Sequence, residues 1–183
     1  MIVLDPQLTS DDSTAATERG LRLPSTRTVS RFLHEAQAAV RLRGEVNILL
    51  TTGGAIRKLN QQFRGKNQAT DVLSFSPLHS AETKAMGLAG DLAISVPTAR
   101  RQAVEQGHTL SMEIKVLVLH GLLHLAGLDH ESDDGKMARR EQKLRTLLRL
   151  PLGLIERVED RGASKTSGRT QGAAQARSRR KQS

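Results

Sequence analysis

The sequence predicts an α+β fold, one sheet with helices packed on it. Two observations carry this. Four short runs, 2–4, 45–51, 72–76 and 91–96, have the β-branched or alternating character of strands, and the last three are bounded by Gly or Pro. Five longer stretches between and after them space their apolar residues three and four apart, as a helix with one buried face requires. Helices mixed with strands in a chain of 183 residues, a length that suits one domain and a tail, give a single sheet covered by helices. Periodicity does not set the strand order.

Taken in order, residues 2–4 form the first strand. Residues 5–25, polar and interrupted by Pro6, Gly20 and Pro24, read as a loop. A helix over Thr28–Arg43 turns Phe32, Leu33, Ala36, Ala39 and Val40 to one side and stops before Gly44. EVNILLT, 45–51, is the second strand. A helix over Ala55–Phe63 has Ile56, Leu59, Asn60 and Phe63 on one side. The third strand, Val72–Ser76, ends at Pro77, a loop covers 78–89, and the fourth strand, Asp91–Val96, ends at Pro97. Thr98 caps the next helix, which stops at Gly107. Thr109 or Ser111 caps a helix running to about Ala126. It is apolar nearly all round and is expected to be buried. The last helix starts at Asp133 or Asp134, turns Met137, Leu144, Leu147 and Leu148 inward, and is stopped by Pro151 and Gly153.

The chemistry concentrates in VLHGLLHLAGLDHE, residues 118–131. His120 and His124, four apart on a helix, leave nearly the same face about 6 Å apart along the axis. Both imidazoles can then reach one metal ion at about 2.0–2.1 Å. Gly127 lets the helix end in a left-handed conformation, after which the chain can return His130 to the same ion. Three neutral nitrogens and one open position describe a catalytic, zincin-like three-histidine metal site rather than a closed structural one. Two histidines at this spacing alone are better explained by a buried helix; Gly127 and His130 in addition turn the balance to a metal site. The row H-G-L-L-H-L-A-G-L-D-H keeps every histidine and the glycine of the metzincin pattern, but Gly121 stands where the peptidases have their glutamate base. Without a side chain, Gly121 leaves room beside the metal and supplies no base.

Composition narrows the classes. There is no Cys, so disulfides and thiolate metal sites are excluded and ligands must be His or carboxylate. The only aromatics are three Phe, so the core must be aliphatic. No basic leader precedes an apolar run at the N-terminus, and no window approaches the roughly 18 apolar residues of a membrane span. The net charge of +9 is uneven: residues 161–183 hold seven Lys or Arg and no acid, leaving 1–160 near neutral. The expected organisation is a single domain over 1–160 and a basic, unstructured tail over 161–183, poor in apolar residues and suited to polyanions such as RNA.

A second concentration is LNQQFRGKNQATDVLSFS, residues 59–76. Arg64, Gly65 and Lys66 form the turn after a helix, and Thr70 and Asp71 open a strand. Arg64 offers a planar fork for phosphate or carboxylate, and would equally complement the helix dipole. Together, HGLLHLAGLDH, FRGKNQATDVLSF and GDLAIS resemble the bacterial YbeY family of metal-dependent, single-strand-specific endoribonucleases and ribosomal RNA maturation factors, over about Val46 to Leu150. The resemblance implies a mixed, mostly parallel sheet of about four strands. It also implies one zinc per chain on His120, His124 and His130, and a catalytic Arg64. The expected partners are single-stranded RNA, ribosomal RNA precursors and the small ribosomal subunit, in the cytoplasm, with no membrane or DNA. Where the family usually carries acidic residues after the second strand, this chain has Thr52, Gly53 and Gly54, and Leu128 stands where Tyr is common.

Such a site suits metal-assisted phosphodiester cleavage, with Arg64 neutralising charge on the phosphate in the transition state. Asp129 is expected to orient a ligand imidazole, and Asp71 and Ser74 are further supporting or substrate-contacting candidates. The general base stays open between a metal-activated hydroxide, Asp129 and Asp71. Two other classes compete: a zinc peptidase, against which Gly121 counts, and a non-catalytic ribosome-assembly factor whose zinc holds the fold, which would unfold without metal. His34, His79 and His108 call for no function.

Overall fold

The computed structural model of the chain describes residues 1–8, 20–77, 87–128 and 134–152. These contain β1 (Ile2–Leu4), α1 (Thr26–Val40), β2 (Glu45–Thr51), α2 (Gly53–Arg64), β3 (Val72–Phe75), β4 (Leu88–Ser95), α3 (Val96–Gln106), α4 (Leu110–Leu125) and α5 (Lys136–Leu147). The strands form one sheet in the order β1-β2-β4-β3. β1, β2 and β4 run parallel, and β3 lies antiparallel beside β4. The fold is therefore α+β with a mixed, mostly parallel four-stranded sheet, as expected. Residues Met1–Leu152 form one compact unit. The expected basic tail lies outside the described residues, as do parts of the 5–25 and 78–89 loops. No described helix is long and apolar enough to cross a membrane.

Strand parity divides the side chains between two faces of the sheet. Val46, Ile48 and Leu50 of β2 and Leu92 and Ile94 of β4 enter the larger core with α1 and α4. The opposite parity, Leu49, Leu73, Phe75 and Ala93, meets Ile56 and Leu59 of α2 in a smaller cluster. α4 is the most apolar element. It buries side chains around most of its circumference, including Leu110, Ile114, Val118, Leu119, Leu122 and Leu123, as its composition required.

Several boundaries differ from expectation, each for a local reason. Ser95, not Thr98, caps α3: its Oγ accepts the Thr98 N–H at 3.3 Å, and Pro97 falls in the first turn, where no helical N–H is needed. Pro97 thus opens a helix as well as closing a strand. α1 starts earlier, at Thr26, because Ser25 accepts the Thr28 N–H at 3.2 Å. It ends at Val40 because Arg41 turns left-handed. Thr109 rather than Ser111 caps α4, accepting the Met112 N–H at 3.2 Å. α5 follows Gly135, which is left-handed and lends no side-chain cap, as is the preceding Asp134, with φ of 53°. Asp133 lies outside the described residues.

Two residues expected inward face solvent. On α5, Met137, Leu144 and Leu148 fall on one narrow stripe, whereas Leu147 is turned about 80° from it and is 68% exposed. On α2, Phe63 shares the face of Ile56 and Asn60, but β3 ends at Phe75. Phe63 meets the Phe75 ring edge-on at 5.0 Å and stays 59% exposed.

Gly90 sets how closely β4 sits between α4 and β3. It has φ of +148°, opposite Val46 where the β2–β4 register shifts, and a Cβ there would lie 2.6 Å from a Leu125 methyl and 2.7 Å from the Phe75 carbonyl oxygen. Gly90→Ala is therefore expected to destabilise the chain by about 1–3 kcal/mol. Gly53→Ala, in a helix with nothing within 4 Å of the new Cβ, should be neutral or slightly stabilising. Urea unfolding of the two variants checks the contrast.

Candidate functional site

The last turns of α4 deliver the histidines. His120 and His124 stand one turn apart with their rings edge to face, centroids 4.8 Å apart, and their Nε2 atoms 3.1 Å apart. Gly127 closes the helix as expected. At φ of +84° it donates to the His124 carbonyl at 2.9 Å, while Leu128 N–H reaches the Leu123 carbonyl at 3.1 Å. This is a Schellman ending, and it turns the chain sharply just beyond His124.

Behind His120 stands a residue that sequence reasoning passed over. Glu141 of α5 holds His120 Nδ1 at 3.0 Å through Oε2, and Oε1 accepts from Arg145 Nε at 2.9 Å. Arg145 in turn donates to the Pro151 carbonyl at 3.2 Å. Burial raises the Glu141 carboxyl pKa, but the hydrogen bond from His120 and the Arg145 and His120 charges outweigh it, and the group stays ionised below the usual range. A carboxylate at Nδ1 makes that nitrogen the N–H donor and leaves Nε2 as a lone pair. The signal was present: Glu141 falls on the same inward stripe as Met137, Leu144 and Leu148, where an acid needs a partner.

The pair fits a divalent cation. Two imidazole nitrogens on one tetrahedral zinc lie about 3.3 Å apart, given bonds of about 2.0–2.1 Å. At 3.1 Å the two Nε2 atoms can share one proton in a hydrogen bond or, both unprotonated, take a cation between them. Among the described residues no third His, Cys, Asp or Glu joins them. The expected third ligand, His130, and its neighbour Asp129 lie outside the described residues.

His120 and His124 open onto a groove of about 610 Å³ that also takes in Arg64, Thr70, Asp71, Ser74 and Ser76. Two segments more than forty residues apart in sequence thus share one cavity. Arg64 is the last residue of α2, before the left-handed Gly65, and is exposed. No hydrogen bond or ion pair holds its guanidinium among the described residues. Asp71 is otherwise engaged. Its Oδ1 accepts from Val72 N–H at 2.8 Å and Thr70 Oγ1 at 3.1 Å, and its Oδ2 from Gln102 Nε2 at 3.0 Å, so it ties the start of β3 to α3. Ser74 Oγ donates to the Gly121 carbonyl at 3.3 Å, bridging β3 to α4.

Gly121 does not open space beside the histidines, contrary to expectation. A Cβ there would point at the sheet, 2.7 Å from one Leu92 methyl, 3.1 Å from the other and 3.3 Å from Ser74 Oγ. Leu92 is itself 1% exposed and has nowhere to retreat. The residue is a close-packing glycine between α4 and β4. Thr52, at one of the positions where acids were expected, caps α2 by accepting the Ala55 N–H at 3.2 Å. His108 pairs with Glu113 near the start of α4, a local contact away from the groove.

A family model described as Endoribonuclease YbeY matches residues 10–149, reaching further toward the N-terminus than the motifs do. The chain is 47% identical over 134 residues to Endoribonuclease YbeY of Koribacter versatilis, spanning 73% of this chain and 84% of that one. It is 48% identical over 139 residues to Endoribonuclease YbeY of Solibacter usitatus, spanning 76% and 88%. The solution structure of TM1509 from Thermotoga maritima superposes with a TM-score of 0.50 at 24% identity, over 93% of this chain and all of that one, a likeness of fold.

Placing a side chain at 121 tests the packing. Gly121→Glu should lower stability by at least about 3 kcal/mol, through overpacking and a buried carboxylate, and should not yield peptide hydrolysis. Chemical denaturation and a casein-cleavage assay read both outcomes.

Proposed function

Because the chain belongs to the endoribonuclease YbeY family, we propose that it is a zinc-dependent endoribonuclease. It cleaves single-stranded RNA, with ribosomal RNA precursors as its substrate in ribosomal RNA maturation and quality control. The observation that carries this reading is the shared groove: two imidazole Nε2 atoms converge on one point, and Arg64, with no internal partner among the described residues, lines the same cavity.

His120 and His124, with His130 as the third ligand, would hold the metal, which when bound supplies Lewis acidity and a nucleophile at neutral pH. Glu141 keeps His120 in the tautomer that presents Nε2 and fixes the ring's orientation. Arg64 binds the scissile phosphate through its planar fork and offsets the charge that accumulates there. Since no ion pair among the described residues must break, redirecting Arg64 to substrate mainly costs the ordering of its side chain. Asp71 and Ser74 shape the wall by holding β3 to α3 and α4. With both Asp71 oxygens occupied, that carboxylate serves better as a support than as a base.

The reading also separates a catalytic metal from a structural one. The larger core joins α1, α3, α4, α5 and one face of the sheet through apolar side chains such as Phe32, Ile48, Ala99, Leu119 and Leu144. The chelated chain should therefore remain cooperatively folded and lose RNA cleavage, whereas a structural zinc would take the fold with it. Elemental analysis should find about one zinc per chain. His124→Ala should abolish both zinc content and cleavage, and Glu141→Gln should weaken zinc affinity about 10- to 100-fold in a competition titration. Full zinc occupancy in His124→Ala, or undiminished cleavage in excess chelator, overturns the assignment.

Arg64→Ala should lower cleavage about 100- to 1,000-fold while the melting temperature stays within a few degrees. Arg64→Lys should recover only part of the rate, because the paired donors are lost. A fully active or strongly destabilised alanine variant would exclude the role given to Arg64.

A further inference from the structure

The end of α2 faces two clefts. Phe63 and Arg64 are consecutive, so their side chains leave the helix about 100° apart. Arg64 lines the histidine groove. Phe63 lines a second cleft of about 330 Å³, with Leu49, Leu59, Phe75 and Ala93, on the opposite face of the sheet. β3 is the partition between them: Ser74 lines the first cleft and Phe75 the second. β3 is also an edge strand, so a chain can pass around it.

We propose that this second cleft is a nucleobase subsite, in which Phe63, braced by Phe75, stacks a base of the same RNA strand whose phosphate Arg64 holds. The inference rests on the endoribonuclease reading and extends it to a second contact. Of the three Phe in a chain with no Tyr or Trp, Phe63 alone is exposed, at 59%. Its surroundings fit a nucleic acid strand. Residues 46–70 contain no Asp or Glu, while Arg57, Lys58, Arg64 and Lys66 are all exposed there. Cations flanking an aromatic platform are the arrangement that holds single strands without reading their sequence. Among the described residues the only charged one lining the cleft is Asp91, held by Asn47 Nδ2 at 2.9 Å. A carboxylate repels phosphate, so the cleft receives the base while the backbone runs toward Arg64.

The test uses the full chain and a short single-stranded RNA carrying 2-aminopurine at one position at a time, read by stopped flow before cleavage. Binding should quench the fluorophore at one position near the cut. Quenching should persist with Phe63→Tyr and vanish with Phe63→Leu, which keeps apolar contact but no ring. Affinity should fall about tenfold in Phe63→Leu, within the range for one stacked base. The rate at saturating RNA should stay within about twofold, because this contact is not specific to the transition state. If RNA is bound and cut but no position is quenched, or if Phe63→Leu quenches like the wild type, the subsite is overturned and the ribonuclease reading stands. A cleft that receives a protein segment gives that same unquenched result. If the wild type neither binds nor cuts RNA, both fall together.

Discussion

The burial of α4 on nearly every side is the constraint on which the rest of the structure depends. A helix of sixteen residues with eleven buried has no freedom to rotate or slide once α1, α3, α5 and the sheet have closed around it. Rotation by one residue would drive an imidazole into aliphatic packing and expose a leucine. The histidines are partly exposed on the C-terminal turns of this helix, where it borders the groove beside β3. Their convergence therefore inherits the rigidity of the core, which is what a site needing sub-ångström placement requires.

Around that fixed pair the chain distributes its polar chemistry by layer. Glu141 approaches His120 from α5, away from the groove, and is itself clamped by Arg145. Asp71 and Ser74 spend their hydrogen bonds on the architecture of β3. Arg64 is the exception, since it stands at a helix end outside any such network among the described residues. A charged side chain so placed can answer a substrate, and it gains little stability from its position.

Features that depend on local repeat geometry were legible in the sequence. The i, i+4 spacing of His120 and His124, the left-handed Gly127, the strand at 45–51 and the apolar wrap of α4 all follow from helix pitch or local residue preference, and the structure has each. Features decided by partners distant in sequence were not. The strand order, the solvent exposure of Phe63 and Leu147, and the outward direction first given to Gly121 depend on what lies across the interface. Glu141 falls between these cases. Its place on the buried stripe of α5 marked it as an acid in need of a partner, but only the packing of α5 on α4 names His120. The caps of α3 and α5 were misplaced because Pro97 and Gly135 carry local signals that outweigh the nearest hydroxyl or carboxylate.

The contact between Gly121 and Leu92 also has a meaning for how such a chain can change over generations. A glutamate beside the first histidine would need a cavity in β4 to receive its first carbons, and a smaller residue at 92 would need something to fill the space it vacates. Made singly, either replacement costs stability, the first by overpacking and the second by leaving a void worth about 2–5 kcal/mol. A lineage that began with this pair is thus separated from the glutamate-bearing arrangement by a valley that only coupled replacements cross. The histidine spacing is shared with that other chemistry, but the interior of the sheet keeps the two apart.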